Sequence, residues 1–214
     1  MSDANEYDFE PVPGLPEELP EGEKMIWQGA PTWRNVALHV FHVRKLAFYF
    51  AALLVLRHFW LASTGQSALT DIAASSGLVF AAVFSIGLLI FLARQVANTT
   101  LYTITSKRVV LRIGIALPMT LNLPFSRITV ADLRKRGDGS GDILMQLGRD
   151  ERLSYLVLWP HVKLRSLLKA QPAMRSLPDP EIAAQHLADA IQASGMRSAP
   201  ESEPEQNANP VLAA

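Results

Sequence analysis

One stretch of this chain carries no charge over a length that would cross a bilayer. Residues 72–93, IAASSGLVFAAVFSIGLLIFLA, are 22 consecutive uncharged and mostly apolar residues. An α-helix rises about 1.5 Å per residue, so they span roughly 33 Å, against roughly 30 Å for the hydrocarbon core of a bilayer. A soluble helix of this length normally carries a polar stripe, which is not evident here. We therefore predict a membrane-spanning helix over 72–93.

A second apolar segment, residues 46–63, precedes the first and is interrupted near its end by Arg57 and His58. An arginine near a helix end can extend its charge to the headgroups, and Phe59 and Trp60 suit the aromatic belt of a membrane interface. The two segments together predict a helical hairpin of two spans.

The distribution of basic residues predicts the orientation of this hairpin. The connection, residues 64–71, contains no Lys or Arg, whereas basic residues flank the outer ends of both spans: Arg34, Arg44, Lys45, Arg94, Lys107 and Arg108. Basic residues favour the cytoplasmic side. We expect a bacterial cytoplasmic (inner or intracytoplasmic) membrane protein with both termini in the cytoplasm.

The formal net charge of zero hides two oppositely charged regions. Residues 1–23 contain eight Asp or Glu, four prolines and no Lys or Arg, which predicts a disordered leader. Residues 101–170 contain 12 Lys or Arg against 5 Asp or Glu. Anionic lipids would attract such a region by about 1 kcal/mol for each basic residue near the surface.

After the second span the pattern changes to short segments rich in β-branched residues, with turn residues between them, such as Gly114 and residues 137–141. These predict antiparallel strands that form a small barrel or sandwich. The predicted strands cover residues 101–105, 108–113, 117–123, 128–133, 142–147 and 152–159.

A closing helix follows the strands. Asp179 is its predicted cap, Pro180 suits its first position, and Gly195 ends it. Its predicted apolar stripe consists of Ile182, Leu187, Ala190 and Ile191. The chain then divides into a disordered leader (1–23), a juxtamembrane segment (24–45), the hairpin (46–96), a strand domain with its helix (97–195) and a disordered tail (196–214).

Three segments resemble the membrane-anchored bacterial pleckstrin-homology-like (PH-like) domains. YTITSKRVVLRIG, residues 102–114, and LNLPFSRI, residues 121–128, are similar to the opening strands of that family, and EGEKMIWQGAP, residues 21–31, is similar to the stretch before its first span. The resemblance implies a pleckstrin-like barrel and no specific ligand.

The acidic, proline-rich start and the layout also resemble the photosynthetic complex assembly proteins of purple phototrophic bacteria. That narrower likeness implies a non-catalytic factor that docks on reaction-centre and core-antenna subunits. A shared fold alone does not establish this function. The alternative is a general membrane-anchored module that senses lipid or envelope state, with membrane lipids or a second copy as partners. A pigment-processing enzyme is the third alternative.

Small residues recur at four-residue spacing in the second span: Ala73, Gly77, Ala81 and Ser85. This spacing places them on one helix face, where another backbone can approach closely. The face would receive either the first span, a client helix or another copy of the chain.

Two basic groups are candidates for contact with the membrane surface: Lys107, Arg108 and Arg112, and Arg134, Lys135 and Arg136. The first group follows the turn where a eukaryotic pleckstrin domain binds phosphoinositides, but the full basic signature is missing. We expect a generic basic surface on lipid headgroups, and no nucleic-acid partner.

The histidines offer little support for a metal or pigment site. His39 and His42 are three residues apart and could share a helix face, and His58, in the first span, is a candidate ligand for the magnesium of a bacteriochlorophyll. Motifs for phosphate loops, zinc helices and nucleophile elbows are missing, and residues 137–142, GDGSGD, read as a hairpin loop. We expect no catalytic residue, no metal and no cofactor.

Overall fold

The computed structural model describes residues 15, 18–65, 68–115, 118–148, 158–166 and 169–195. It consists of a helical hairpin, two four-stranded antiparallel sheets and a closing helix. The predicted fold, a two-helix hairpin followed by a PH-like β-domain, is confirmed. Most of the predicted leader, the predicted tail and residues 152–157 of the sixth predicted strand lie outside the described residues.

The hairpin consists of α2, Val43–Ser63, and α3, Ala68–Thr99. Both helices are long and apolar enough to cross a membrane, and few residues in their most apolar parts are fully buried within the chain. They contain the two predicted spans. A short helix, α1, precedes them at Trp33–Asn35 and continues as one π-helical turn, Val36–Val40.

The first sheet contains strands from both sides of the hairpin. Its order is β1-β2-β3-β4, and the strands are β1, Met25–Gly29; β2, Leu101–Thr105; β3, Arg108–Ile113; and β4, Met119–Pro124. Strand β1 pairs with β2, so Gly29 lies opposite Tyr102. The β-domain therefore begins before the hairpin, within the segment 24–45 that the sequence assigned to a juxtamembrane connection.

The second sheet has the order β5-β6-β8-β7. Its strands are β5, Ile128–Lys135; β6, Gly141–Leu147; β7, Val162–Ser166; and β8, Lys169–Leu177. The end of the predicted strand 152–159 is wrong, because residues 158–160 belong to a turn before β7. Strand β8 was missed because it contains Pro172, and proline normally argues against an interior strand.

Helix α4, Pro180–Ala193, packs on the core that the two sheets share. Leu187 and Ala190 are buried as predicted, but Ile182 is 53% exposed and Ala183 takes its place. The spacing 183, 187, 190 follows the helical repeat more closely than the stripe we predicted. Asp179 is the N-cap residue as predicted, and Pro180 is the first helical residue, but the Asp179 side chain makes no capping hydrogen bond.

Strand direction defines two ends of the β-domain. Strand β2 leaves α3 at Leu101, and the turn to β3 at Ser106 lies about 16 Å further along the strand. We call the end at Leu101 the hairpin end and the end at Ser106 the far end. The β5–β6 loop belongs to the hairpin end, because Asp138 contacts His39 just before α2.

Part of the predicted disordered leader is ordered at the far end. Glu23 is buried and accepts a hydrogen bond from Arg108 Nε at 2.9 Å, and Leu15 is also buried. At these two positions the structure differs from the sequence prediction. The reason for the order at Glu23 is that it lies two residues before β1, a strand that the sequence analysis missed.

Candidate functional site at the hairpin end

An apolar junction joins the hairpin to the β-domain. Val36 and Ala37 of the π-helical turn are buried against Ala93 and Val96 of α3, with Val40, Phe41 and Val43 around them. The backbone N–H of Thr32 donates to the carbonyl of Ser176 in β8 at 3.2 Å. Residues of α2, α3 and the π-helical turn therefore meet at this junction, and the hydrogen bond of Thr32 links it to the second sheet.

Aromatic and cationic side chains surround the junction. The guanidinium of Arg94 lies 4.6 Å from the ring centroid of Trp33, and the rings of Phe41 and Trp159 are 5.6 Å apart. Trp159 is 47% exposed. Exposed tryptophan beside basic groups is typical of the level of lipid headgroups. These side chains suit a domain that lies close to the membrane surface.

A buried chain of hydrogen bonds runs from β8 to the end of α3. The Arg175 backbone N–H donates to the Tyr102 hydroxyl at 3.1 Å, and this hydroxyl pairs with His161 Nδ1 at 2.6 Å. His161 Nε2 pairs with the Thr100 hydroxyl at 3.0 Å. Since the Tyr102 oxygen already accepts from Arg175, we assign its proton to the bond with His161, which leaves the His161 Nε2–H to donate to Thr100.

Burial determines the protonation states of His161 and Tyr102 in this chain of hydrogen bonds. It lowers the pKa of His161 to about 3, with a smaller contribution from the Arg175 charge, and it raises the pKa of Tyr102. Both groups are therefore neutral near pH 7, and the chain acts as a fixed structural link. Sequence reasoning missed it because a lone histidine after Trp-Pro has no distinguishing pattern.

The β5–β6 loop is fixed against the segment that enters α2. His39 Nε2 lies 2.6 Å from Asp138 Oδ2, while the Ser140 hydroxyl donates to Asp138 Oδ1 at 2.7 Å. The hydrogen bonds from Ser140 and then His39 lower the pKa of the Asp138 carboxyl. Residues 137–140 form the predicted hairpin loop between β5 and β6.

The predicted pairing of His39 and His42 on one helix face is wrong. The π-helical turn ends at Val40, and His42 adopts a left-handed backbone conformation with φ of 56° before α2 begins. The helix is therefore broken between the two histidines. His58 lies exposed on α2, beside the ring of Phe59. Within the described residues no group of three potential metal-ligating side chains occurs.

The residues of the first basic group lie at both ends of the domain, since Arg112 is opposite Leu101 of β2 at the hairpin end. Lys107 and Arg108 are at the far end, where Arg108 pairs with Glu23, and Arg112 is buried within β3. These three residues therefore form no common exposed surface, contrary to what their sequence spacing suggested. Charge spacing alone did not show which basic side chains β3 would bury or pair.

The second basic group lies beside the hairpin end. Lys135 Nζ is 2.5 Å from Glu181 at the start of α4, and Arg136 pairs with Asp142. Asp142 also accepts a hydrogen bond from the Ser176 N–H at 2.9 Å. Only Arg134 of this group is exposed without being assigned to an ion pair in the described structure. The group is thus partly neutralised by acidic neighbours.

The small-residue face of α3 points away from α2. Gly77 and Ala81 are exposed, and a Cβ added at Gly77 would meet no atom within 4 Å. Ser85 is half-buried and donates to the Ala81 carbonyl at 2.6 Å; the side chain of Ala73 lies outside the described part. The prediction that this face packs against the first span is therefore wrong at Gly77 and Ala81. That the face receives a client helix or a second copy of the chain remains a prediction.

The fold and its junction define a PH-like module with two helices that are long and apolar enough to cross a membrane, and sequence comparison agrees with the PH-like fold. Residues 44–191 match the bacterial PH domain family, a family of non-catalytic modules. The chain belongs to this family. It is also 41% identical over 196 residues, 90% of each chain, to an uncharacterised 23.7 kDa protein in the puhA 5′ region of Rhodobacter capsulatus. No solved structure matches the chain.

Proposed function

We propose that this protein is a non-catalytic membrane assembly factor that helps to build the photosynthetic reaction centre and its core light-harvesting complex. The likeness to the Rhodobacter capsulatus protein supports a link to a photosynthesis gene region. The resemblance of the leader and layout to photosynthetic assembly proteins supports the role itself. The clients would be reaction-centre and core-antenna subunits.

The observation that carries this proposal is the open apolar surface of the hairpin. Gly77 and Ala81 leave room for a helix backbone, and the stacked rings of Phe80 and Phe84, 6.1 Å apart, border that space. Small residues at such a surface favour close helix contacts in membranes. A client helix would bind there without displacing α2.

The proposed mechanism is transient docking. The spans would bind client helices while the β-domain, in the cytoplasm with both termini, keeps the hairpin oriented at the membrane surface. Replacing Arg134, Lys135 and Arg136 by alanine tests this orientation step. We expect a lower yield of assembled complex, because these residues lie at the hairpin end. An unchanged yield in the triple variant would remove the support for it.

A second candidate function is favoured by the PH-like domain itself. A general module that senses lipid or envelope state would use the same exposed Trp159 and basic side chains at the membrane surface. Such a module would associate with lipids or with itself. Its partners therefore distinguish the two functions.

The experiment is a mild-detergent pull-down of the tagged full chain from its native cells, grown photosynthetically. Bound subunits are identified, and a near-infrared spectrum reports pigment. We expect reaction-centre or core-antenna subunits in substoichiometric amounts, as for a transient factor. Recovery of only this protein and lipids would contradict the assembly role and favour the sensing module.

A further inference from the structure

The helical hairpin contains an apolar groove with one cationic side chain in it. The groove has a volume of about 650 Å³ and lies between α2 and α3, towards the connection that joins them. Large apolar side chains form most of its lining, together with two polar ones: Leu53, Leu56, Trp60, Leu78, Arg57 and Ser63. Neither the β-domain nor α1 contributes a lining residue.

Among the described residues, no acidic side chain lines the groove beside Arg57. Its Nε atom is buried and has no hydrogen-bond partner among the described residues. A guanidinium stays charged and carries five N–H donors, so an apolar environment without an acceptor is costly for it. The groove therefore favours a ligand that brings an anion to Arg57.

The position of Arg57 matches the depth of lipid headgroups. It lies six residues before the last residue of α2, Ser63, which corresponds to about 9 Å along the helix axis. Its long side chain can cover that distance towards the surface, and Trp60 suits the same interfacial level. Leu53 lies one helical turn deeper, so the groove continues towards the centre of the bilayer.

We propose that the groove binds one anionic phospholipid, with its phosphate on Arg57 and an acyl chain along Leu53, Leu56 and Leu78. Guanidinium and phosphate match in charge and geometry, since the planar fork of N–H donors can bind two phosphate oxygens. The bilayer supplies such lipids at high local concentration. The lipid fills the groove on α2 and leaves the Gly77 face of α3 open.

The test measures phospholipid binding to the delipidated full chain in neutral detergent. Phosphatidylglycerol or phosphatidylcholine is added, and native mass spectrometry counts the lipids retained. The wild type should retain one phosphatidylglycerol in preference to phosphatidylcholine. Arg57→Leu should weaken phosphatidylglycerol binding about tenfold, because a hydrogen bond to a charged group is lost. The matched control is Arg44→Leu, at the opposite and exposed end of α2.

Two further variants keep the test decisive where Arg57→Leu folds poorly. Arg57→Lys should preserve the preference for phosphatidylglycerol, and Leu78→Trp should lower retention of both lipids by filling the groove. Equal lipid retention in the wild type, Arg57→Leu and Leu78→Trp would overturn the proposal. So would an Arg57→Leu variant that retains lipid but loses another membrane protein in a pull-down, since the groove would then hold a protein.

Discussion

At the scale of single residues, a buried chain of hydrogen bonds links the second sheet to the end of α3. It runs from Arg175 through Tyr102 and His161 to Thr100. Each side-chain hydrogen bond in it joins elements that are distant in sequence: β8, β2 and the segment before β7. A buried polar group without its partner costs far more than an exposed one. The chain therefore makes the position of α3 depend on the second sheet.

Removing the Tyr102 hydroxyl should destabilise the protein. Tyr102→Phe leaves the Arg175 N–H and His161 Nδ1 without their partner, so the free energy of unfolding should fall by about 1–3 kcal/mol. Urea unfolding followed by intrinsic fluorescence measures it. Tyr49→Phe, on the exposed surface of α2, is the control and should change little. Equal stability of the two variants would show that this chain of hydrogen bonds does not contribute to the stability of the fold.

Acid should destabilise the folded state through His161. Its folded pKa of about 3 lies below the ordinary 6.5, so the unfolded chain binds the proton more readily. The contribution of neutral, buried His161 to the free energy of unfolding is complete above pH 6.5. It is lost as the pH falls towards 3, by about 1.4 kcal/mol per pH unit. In urea titrations, His161→Gln should flatten this dependence, and His186→Gln on α4 should not. If the free energy of unfolding changed equally with pH in His161→Gln and the wild type, His161 would not be the cause of the acid sensitivity.

At the scale of elements, the contact between the β5–β6 hairpin and α4 should tolerate no added methyl group. A Cβ at Gly141 would lie 2.6 Å from the Arg134 carbonyl oxygen and 2.8 Å from Pro180 Cγ. Gly141→Ala should therefore lower the free energy of unfolding by about 1–3 kcal/mol. Gly137→Ala in the same hairpin meets no atom within 4 Å and serves as the control. Denaturant midpoints that shift equally in the two variants would contradict the importance of this close contact.

A bulky residue on the open face of α3 should block client binding without unfolding the hairpin. Gly77→Ile should lower recovery of client subunits about tenfold, the effect of losing roughly 1.4 kcal/mol of helix contact. Gly87→Ile is the matched control, because Gly87 is equally open but lies about 80° around the helix. Quantitative subunit recovery in pull-downs measures both. Equal recovery from the two variants would exclude the small-residue face as the client site.

The helices and strands differ in how well they can be predicted from the sequence. The spans and the strands β2 and β3 were predictable, because long apolar runs and regular alternation are local signals. Strand β1 was not, since its partner β2 lies beyond the whole hairpin and its sequence, MIWQG, contains one β-branched residue against three in β2. The small-residue spacing on α3 was visible in the sequence, but which face α2 would cover depends on packing.

At the scale of the whole molecule, the hairpin is an insertion within the β-domain. Strand β1 precedes the spans and β2 follows them, and the two pair directly. The apolar junction at Val36 and Ala93 and the contact of Thr32 with Ser176 add to this link. The spans and the β-domain are thus connected at several points.

The proposed function predicts that the hairpin and its attached β-domain promote assembly of the photosynthetic reaction centre and core antenna. The most direct measurement is the near-infrared absorption of membranes from a strain in which the gene is deleted and then restored. We predict a lower content of both complexes in the deletion strain, recovery with the wild-type gene or Gly87→Ile, and no recovery with Gly77→Ile. Normal amounts of both complexes in the deletion strain would contradict the account.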